Sequence, residues 1–199
     1  MRNIQPILEG RYFHIYNRGV NGESIFRDNK DYFFFIEKLE EYVKKVATIH
    51  AYCLLRNHFH ILVYIKENAT EPKRDGKAGI TLDFSKQLGY FFNKYAQAFN
   101  RRHERKGSLF TSPFRRKLIE SDLYISSVIF YIHANAQHHG FVTDFREWPY
   151  SSYPQIIDGG STLINPSWLF DWFGDKKMFI RFHESNKVLM EESQWVLEA

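Results

Sequence analysis

The run Leu55-Arg56-Asn57-His58-Phe59-His60-Ile61-Leu62-Val63 sets both the topology and the chemistry to look for. Residues two apart on a β-strand point to the same face. His58 and His60 therefore converge, while Phe59 turns into the opposite layer. The residues after them, Ile61 to Ile65, are β-branched, aromatic and leucine, as suits a strand. Upstream, Ala47 to Leu55 reads as another strand. Only Arg56-Asn57 separates the two, so they form a tight hairpin. Two imidazoles on one strand face make half of a metal site. Such a pair alone is a weak signal, shared with surface and core histidines.

Other elements follow outward from this hairpin. Arg11 to Val20 alternates and is rich in aromatics, which predicts a first strand, and Asn21-Gly22 marks a turn. Asp28 or Asn29 caps a helix to about Lys45, with Phe33, Ile36, Leu39, Tyr42, Val43 and Val46 at helical spacing. The hairpin comes next, with its second strand running to Lys66. Glu67 to Thr81 carries Pro72, Gly76 and Gly79 and reads as a loop. Phe84 to about His103 is helical through Leu88, Phe91, Tyr95 and Phe99. Phe114 to Glu120 is a fourth strand. Ser121 or Asp122 caps a helix to about Gln137, which Gly140 ends.

The order β-α-β-β-α-β predicts an α+β fold of ferredoxin-like type: a mainly antiparallel sheet with helices on one face. Trp148-Pro149-Tyr150-Ser151-Ser152-Tyr153 opens a C-terminal extension, and Asn165 to about Glu198 reads as one or two helices anchored by aromatics. We expect one catalytic-type domain over residues 1–155 and a helical extension over 156–199 packed on it.

Composition narrows the function classes. Of the 199 residues, 44% are hydrophobic and 18% aromatic, which argues for a folded chain with a proper core. The single cysteine, Cys53, excludes a disulfide framework and a cysteine-based zinc site. It fits a reducing, cytoplasmic compartment and reads as an inert core thiol. No apolar run approaches the ~20 residues of a membrane span, and Met1 to Pro6 lacks a signal-peptide character. The net charge of +4 is modest but unevenly placed. Arg101, Arg102, Arg105, Lys106, Arg115, Arg116 and Lys117 sit in one segment against a single acid, Glu104. Such a stretch predicts a polyanion-binding face, or else a solvated helix end. The interleaved Phe99, Phe110 and Phe114 read as core more readily than as base-stacking platforms.

Tyr131 and Asn135, four apart on the last helix of the domain, share a face. The chain thus offers two imidazoles, an amide oxygen and a phenol. Tyr95 is a rival phenol, beside the basic segment, but the residue four further on is Phe99, which cannot bind metal.

Together these blocks resemble the IS200-like single-tyrosine transposases, in particular their REP-associated branch. The likeness rests on five blocks over about residues 11 to 155: Tyr12-Phe13-His14-Ile15-Tyr16-Asn17-Arg18-Gly19; Asn57-His58-Phe59-His60-Ile61-Leu62-Val63; Asn100-Arg101-Arg102-His103 with Gly107-Ser108-Leu109-Phe110; Tyr131-Ile132-His133-Ala134-Asn135; and the Trp148 to Tyr153 block. The resemblance implies Tyr131 as nucleophile, with His58, His60 and Asn135 as ligands of a Mg²⁺ or Mn²⁺ ion. It also implies single-stranded or hairpin DNA as partner and a nucleoid-associated site of action. The chain departs from the family at Arg56, at Phe130 and over Ala136-Gln137-His138-His139-Gly140, where DNA contacts near the helix end come into question.

The implied activity is nicking and strand transfer through a 5′-phosphotyrosine. Three alternatives stand beside it: a domesticated, non-mobile hairpin-processing endonuclease, a non-catalytic ferredoxin-like binding module, and a hydrolytic metallonuclease, for which no acid cluster is evident. The resemblance suggests a homodimer, whereas an extension that covers a sheet edge would enforce a monomer.

Overall fold

The computed structural model describes residues 6–72, 79–160 and 163–192, with side chains to residue 188. Strand β1 is Tyr12–Arg18 and helix α1 is Asn29–Lys38. Asp28 caps α1 by accepting hydrogen bonds from Lys30 N and Asp31 N. The predicted continuous helix to Lys45 instead widens into a π-type turn over Leu39–Val43 before a final turn, α2, at Lys44–Val46. Apolar spacing does not distinguish the two, since Leu39, Val43 and Val46 are buried either way.

Strands β2 (Ala47–Leu55) and β3 (His58–Ile65) form the expected hairpin around Arg56-Asn57. Within the expected loop, β4 (Thr70–Glu71) and β5 (Ile80–Thr81) pair in a small separate ladder. Helix α3 is Phe84–Arg102, strand β6 is Arg115–Ile119, and helix α4 is Asp122–His138, capped by Ser121. The order in the main sheet is β2-β3-β1-β6, with antiparallel pairing throughout. This is the ferredoxin-like arrangement.

The two helices inside the β-α-β-β-α-β unit, α1 and α3, cover one face. Phe59 points into that layer and meets Phe35 of α1 and Phe92 of α3, at ring separations of 5.1 and 6.0 Å. Phe91, Tyr95 and Phe99 are buried there as well. Helix α4 follows the unit and lies on the other face, against β2 and β3. Both faces are therefore covered, and the histidine pair lies in the layer beneath α4.

The chain then returns to the free edge of β2. Leu54 N donates to Tyr150 O (2.9 Å), Trp148 Nε1 donates to Leu54 O (3.0 Å), and Tyr52 N donates to Ser152 Oγ (2.9 Å). Helix α5, Ser152–Asp158, runs across the expected boundary at residues 155 and 156. Helices α6 (Pro166–Phe173) and α7 (Lys176–Glu192) complete the described chain. A buried chain of rings ties α7 to α4: His133 Nδ1 lies 2.8 Å from His183 Nε2, and His133 Nε2 lies 2.8 Å from Ser152 Oγ. His183 Nδ1 donates to Phe179 O (2.8 Å), so every ring nitrogen in this chain has a partner without a charge.

Candidate active site

Strand pairing builds a lattice of side chains on the α4 face. In register, Arg18 of β1 stands opposite His58, Tyr16 lies between His60 and Arg115 of β6, and His14 lies opposite Lys117. Alternation puts His14, Tyr16 and Arg18 on the same side as the histidine pair. Helix α4 lays Tyr131 and Asn135 over that lattice. The result is a cavity of about 390 Å³ whose walls include His58, His60, Tyr131, Arg115, Lys117 and His139.

The ring of Tyr131 meets His60 edge-on at 5.5 Å and His14 edge-on at 5.9 Å. His58 Nδ1 lies 2.8 Å from Asn57 Oδ1, so Nδ1 carries the proton. In the neutral ring Nε2 then carries a lone pair, and it faces Asn135 Oδ1, also an acceptor, across 3.3 Å. Asn135 is fully buried, and its Nδ2 has no hydrogen-bond partner among the described residues. His58 Nε2 and Asn135 Oδ1, two acceptors turned toward each other, form a donor set that suits a cation. Burial, followed by the neighbouring His14, His58 and His139, pushes His60 well below the ordinary imidazole range. His60 is therefore held in the neutral form that can bind a metal. Burial likewise lowers His14, to about 3.

The rival phenol lies elsewhere. Tyr95 is in the aromatic core on the opposite side of the sheet, 1% exposed. Its hydroxyl donates to Ile25 O at 2.6 Å, and burial raises its pKa well above the ordinary value. No rotation of the ring brings it through the sheet to the histidines.

The basic stretch divides into three. Arg102 is paired with Asp28 and Asp31, and Arg105 with Glu23 and Asn100, so the end of α3 and the turn after it are tied to α1 and the segment before it. Arg101 and Lys106 are exposed. On β6, Arg115 and Lys117 line the cavity, while Arg116 stacks over Phe114 (5.1 Å) on the other side. Strand alternation and ion pairing thus leave Arg115 and Lys117 beside the histidines. Phe99 and Phe110 are core residues.

Among the described residues, one group of carboxylate and imidazole ligand atoms falls within 4.8 Å: Asp28, Asp31 and His103. The Arg102 guanidinium already bonds both carboxylates, and His103 Nε2 lies 2.9 Å from Asp31 Oδ2. The cluster's negative charge is neutralised from within, and we read it as a structural ion-pair network.

Sequence reasoning missed His14, Tyr16, Arg18 and His139. The first three repeat at period two, the same signal that singled out His58 and His60. His139, one turn beyond Asn135, meets His58 edge-on at 4.7 Å.

Fold and site together define a ferredoxin-like α+β protein with a histidine pair and a tyrosine on a cavity lined by Arg115 and Lys117, and a buried asparagine beside His58. No family model matches the chain. A Haemophilus influenzae protein whose curated name is that of a REP-associated tyrosine transposase is 28% identical over 131 residues, 66% of this chain and 69% of that protein. A solved structure of a REP-associated tyrosine transposase bound to a REP hairpin matches with a TM-score of 0.59 over 84% of this chain and 91% of that one. At 19% identity that second likeness is one of fold. The first likeness agrees with the family that the sequence motifs resemble, and the second agrees with it in fold.

Proposed function

We propose that this protein is a metal-dependent enzyme that nicks and rejoins single-stranded DNA at hairpin-bearing sites, with Tyr131 as nucleophile. The observation that carries the reading is the convergence of His58 and His60 from β3 with Tyr131 from α4 on one cavity walled by Arg115 and Lys117, with the buried Asn135 of α4 against His58. The relative named as a REP-associated tyrosine transposase and the hairpin-bound structural match favour the same substrate class.

His58, His60 and Asn135 would hold Mg²⁺ or Mn²⁺, since imidazole and amide oxygen are donors of intermediate hardness. When bound, such an ion would supply Lewis acidity to the phosphate under attack. Arg115 and Lys117 neutralise the strand that enters. The Tyr131 hydroxyl oxygen attacks phosphorus and the bond to the 3′ oxygen breaks. The phenol proton is lost to the medium and the leaving oxygen gains one, giving a 5′-phosphotyrosine and a free 3′-OH. The phosphodiester energy is retained in that linkage, so a second 3′-OH can reverse the step at a new end.

The test is incubation with hairpin-bearing single-stranded DNA and Mn²⁺, followed by a denaturing gel. The expected result is a covalent protein–DNA adduct and a free 3′-OH fragment. Cleavage without adduct would mean hydrolysis by water. Tight binding with neither product would mean a non-catalytic binding module.

A further inference from the structure

His14 stands outside the set of groups assigned above, yet it contacts one of them directly. Its Nε2 lies 2.9 Å from His60 Nδ1 in a buried pair 46 residues apart in sequence. The two rings stack at 5.1 Å and 27°. On its other flank His14 stacks on Tyr16 at 4.9 Å, and Tyr16 in turn stacks on His60 at 5.6 Å and 12°. Three rings from two strands thus hold one another in place.

The contact admits two proton arrangements with opposite consequences. If His14 Nε2–H donates, the neutral His60 keeps its own proton on Nε2 and cannot bind a metal through that nitrogen. If His60 Nδ1–H donates, its Nε2 lone pair is released. The neighbouring ligand candidate already follows the second pattern, because His58 gives its Nδ1 proton to Asn57 Oδ1. Histidines that bind metals almost always donate the other ring N–H to a partner, which fixes tautomer and ring orientation.

We propose that His14 is the positioning residue for His60: its Nε2 accepts the His60 Nδ1 proton and so presents the His60 Nε2 lone pair to the cavity. The inference rests on His60 being a metal ligand. It assigns to β1 the role for His60 that Asn57 fills for His58.

Isothermal titration of the full chain with Mn²⁺ tests it. His14→Phe keeps a ring between Tyr16 and His60 but cannot accept a proton. It should weaken Mn²⁺ binding by about tenfold or more, with circular dichroism unchanged. His14→Gln, which retains an acceptor oxygen, should recover part of the loss. In a His60→Ala background, His14→Phe should add nothing, an outcome that a merely structural ring would not give. A folded His14→Phe variant with unchanged Mn²⁺ affinity overturns the assignment alone. Wild-type chain that binds no Mn²⁺ overturns the metal centre and the assignment together. Should both variants misfold, long-range proton–nitrogen spectra of the wild-type protein decide. A His60 proton on Nδ1 supports the proposal, and one on Nε2 overturns it.

Discussion

Tyr131 and Tyr95 are the same side chain on two helices, in different surroundings. Tyr95 is enclosed by phenylalanines and spends its proton on Ile25 O. Tyr131 is nearly as buried, at 9%, but its exposed fraction opens into the cavity beside two imidazoles. A phenol with an ordinary pKa near ~10 is mostly neutral at pH 7, so attack on phosphate needs local positive charge. Tyr131→Phe should bring adduct formation and cleavage to background on a denaturing gel. It should leave hairpin affinity within about threefold, under ~1 kcal/mol, because the ring and its packing remain. Residual cleavage at a wild-type rate would move the nucleophile elsewhere. Gly19, where β1 ends, shows the opposite kind of constraint. A Cβ there would lie 2.0 Å from Glu23 O, so the turn after the strand tolerates no side chain.

At the scale of elements, β6 turns a run of basic residues into an alternating surface. Arg115 and Lys117 face the cavity, and Lys117 Nζ donates to Tyr124 Oη of α4 at 2.7 Å. Replacing both with alanine should weaken binding across many DNA sequences. It should also flatten the slope of log affinity against log salt by about 0.7 per lost single-strand phosphate contact. An unchanged slope measured by fluorescence anisotropy would show that the pair does not touch phosphate. Arg102→Ala belongs to a different category. It removes a partner from Asp31, whose side chain is 4% exposed, and leaves His103 as its remaining ring partner. Its effect should register in thermal stability before it registers in the salt slope.

For the molecule as a whole, the aromatic extension acts as a brace for α4 and the sheet. His183 of α7 is fully buried and is lowered by burial to about 4 from the usual 6.5. His50 of β2, against Trp168 of α6, is lowered to about 4 by the same cause. A folded-state pKa below the unfolded one means that the unfolded chain binds protons first as pH falls. The stability is therefore complete above the unfolded value near 6.5 and is lost as pH falls toward 4. The slope should be about 1.4 kcal/mol per pH unit for each ring. Thermal melts at pH 7 and pH 5 should show a lower midpoint at pH 5, and equal midpoints would refute this. The same extension bears on assembly. The Trp148 to Ser152 segment covers part of the β2 edge, and β6, at the other edge, carries Arg115, Arg116 and Lys117. Covered and charged edges resist strand pairing, so light scattering at micromolar concentration should read a single chain of 23.8 kDa. A doubled mass would place a dimer contact elsewhere.

The β2–β3 hairpin, the caps to within one residue (Asp28 or Asn29, Ser121 or Asp122), and the facing of His58 with His60 were legible in the sequence, because each depends on residues at most a few positions apart. The pairing of Tyr131 with Asn135 was legible for the same reason. Local spacing says nothing about which face of the sheet a helix covers. Only the tertiary structure put α4 on the histidine side and α3 on the other, which brought Tyr131 to the cavity and sent Tyr95 into the core. The division of the basic stretch was equally non-local. Arg102 meets Asp31 across 71 positions, and Arg115 meets Tyr16 by strand register. His14 belongs to the same group: its alternation with Tyr16 and Arg18 was visible, but its place beside His60 came from the antiparallel alignment of β1 with β3. Periodicity fixes which residues of one element share a side, whereas burial and strand order decide which sides meet.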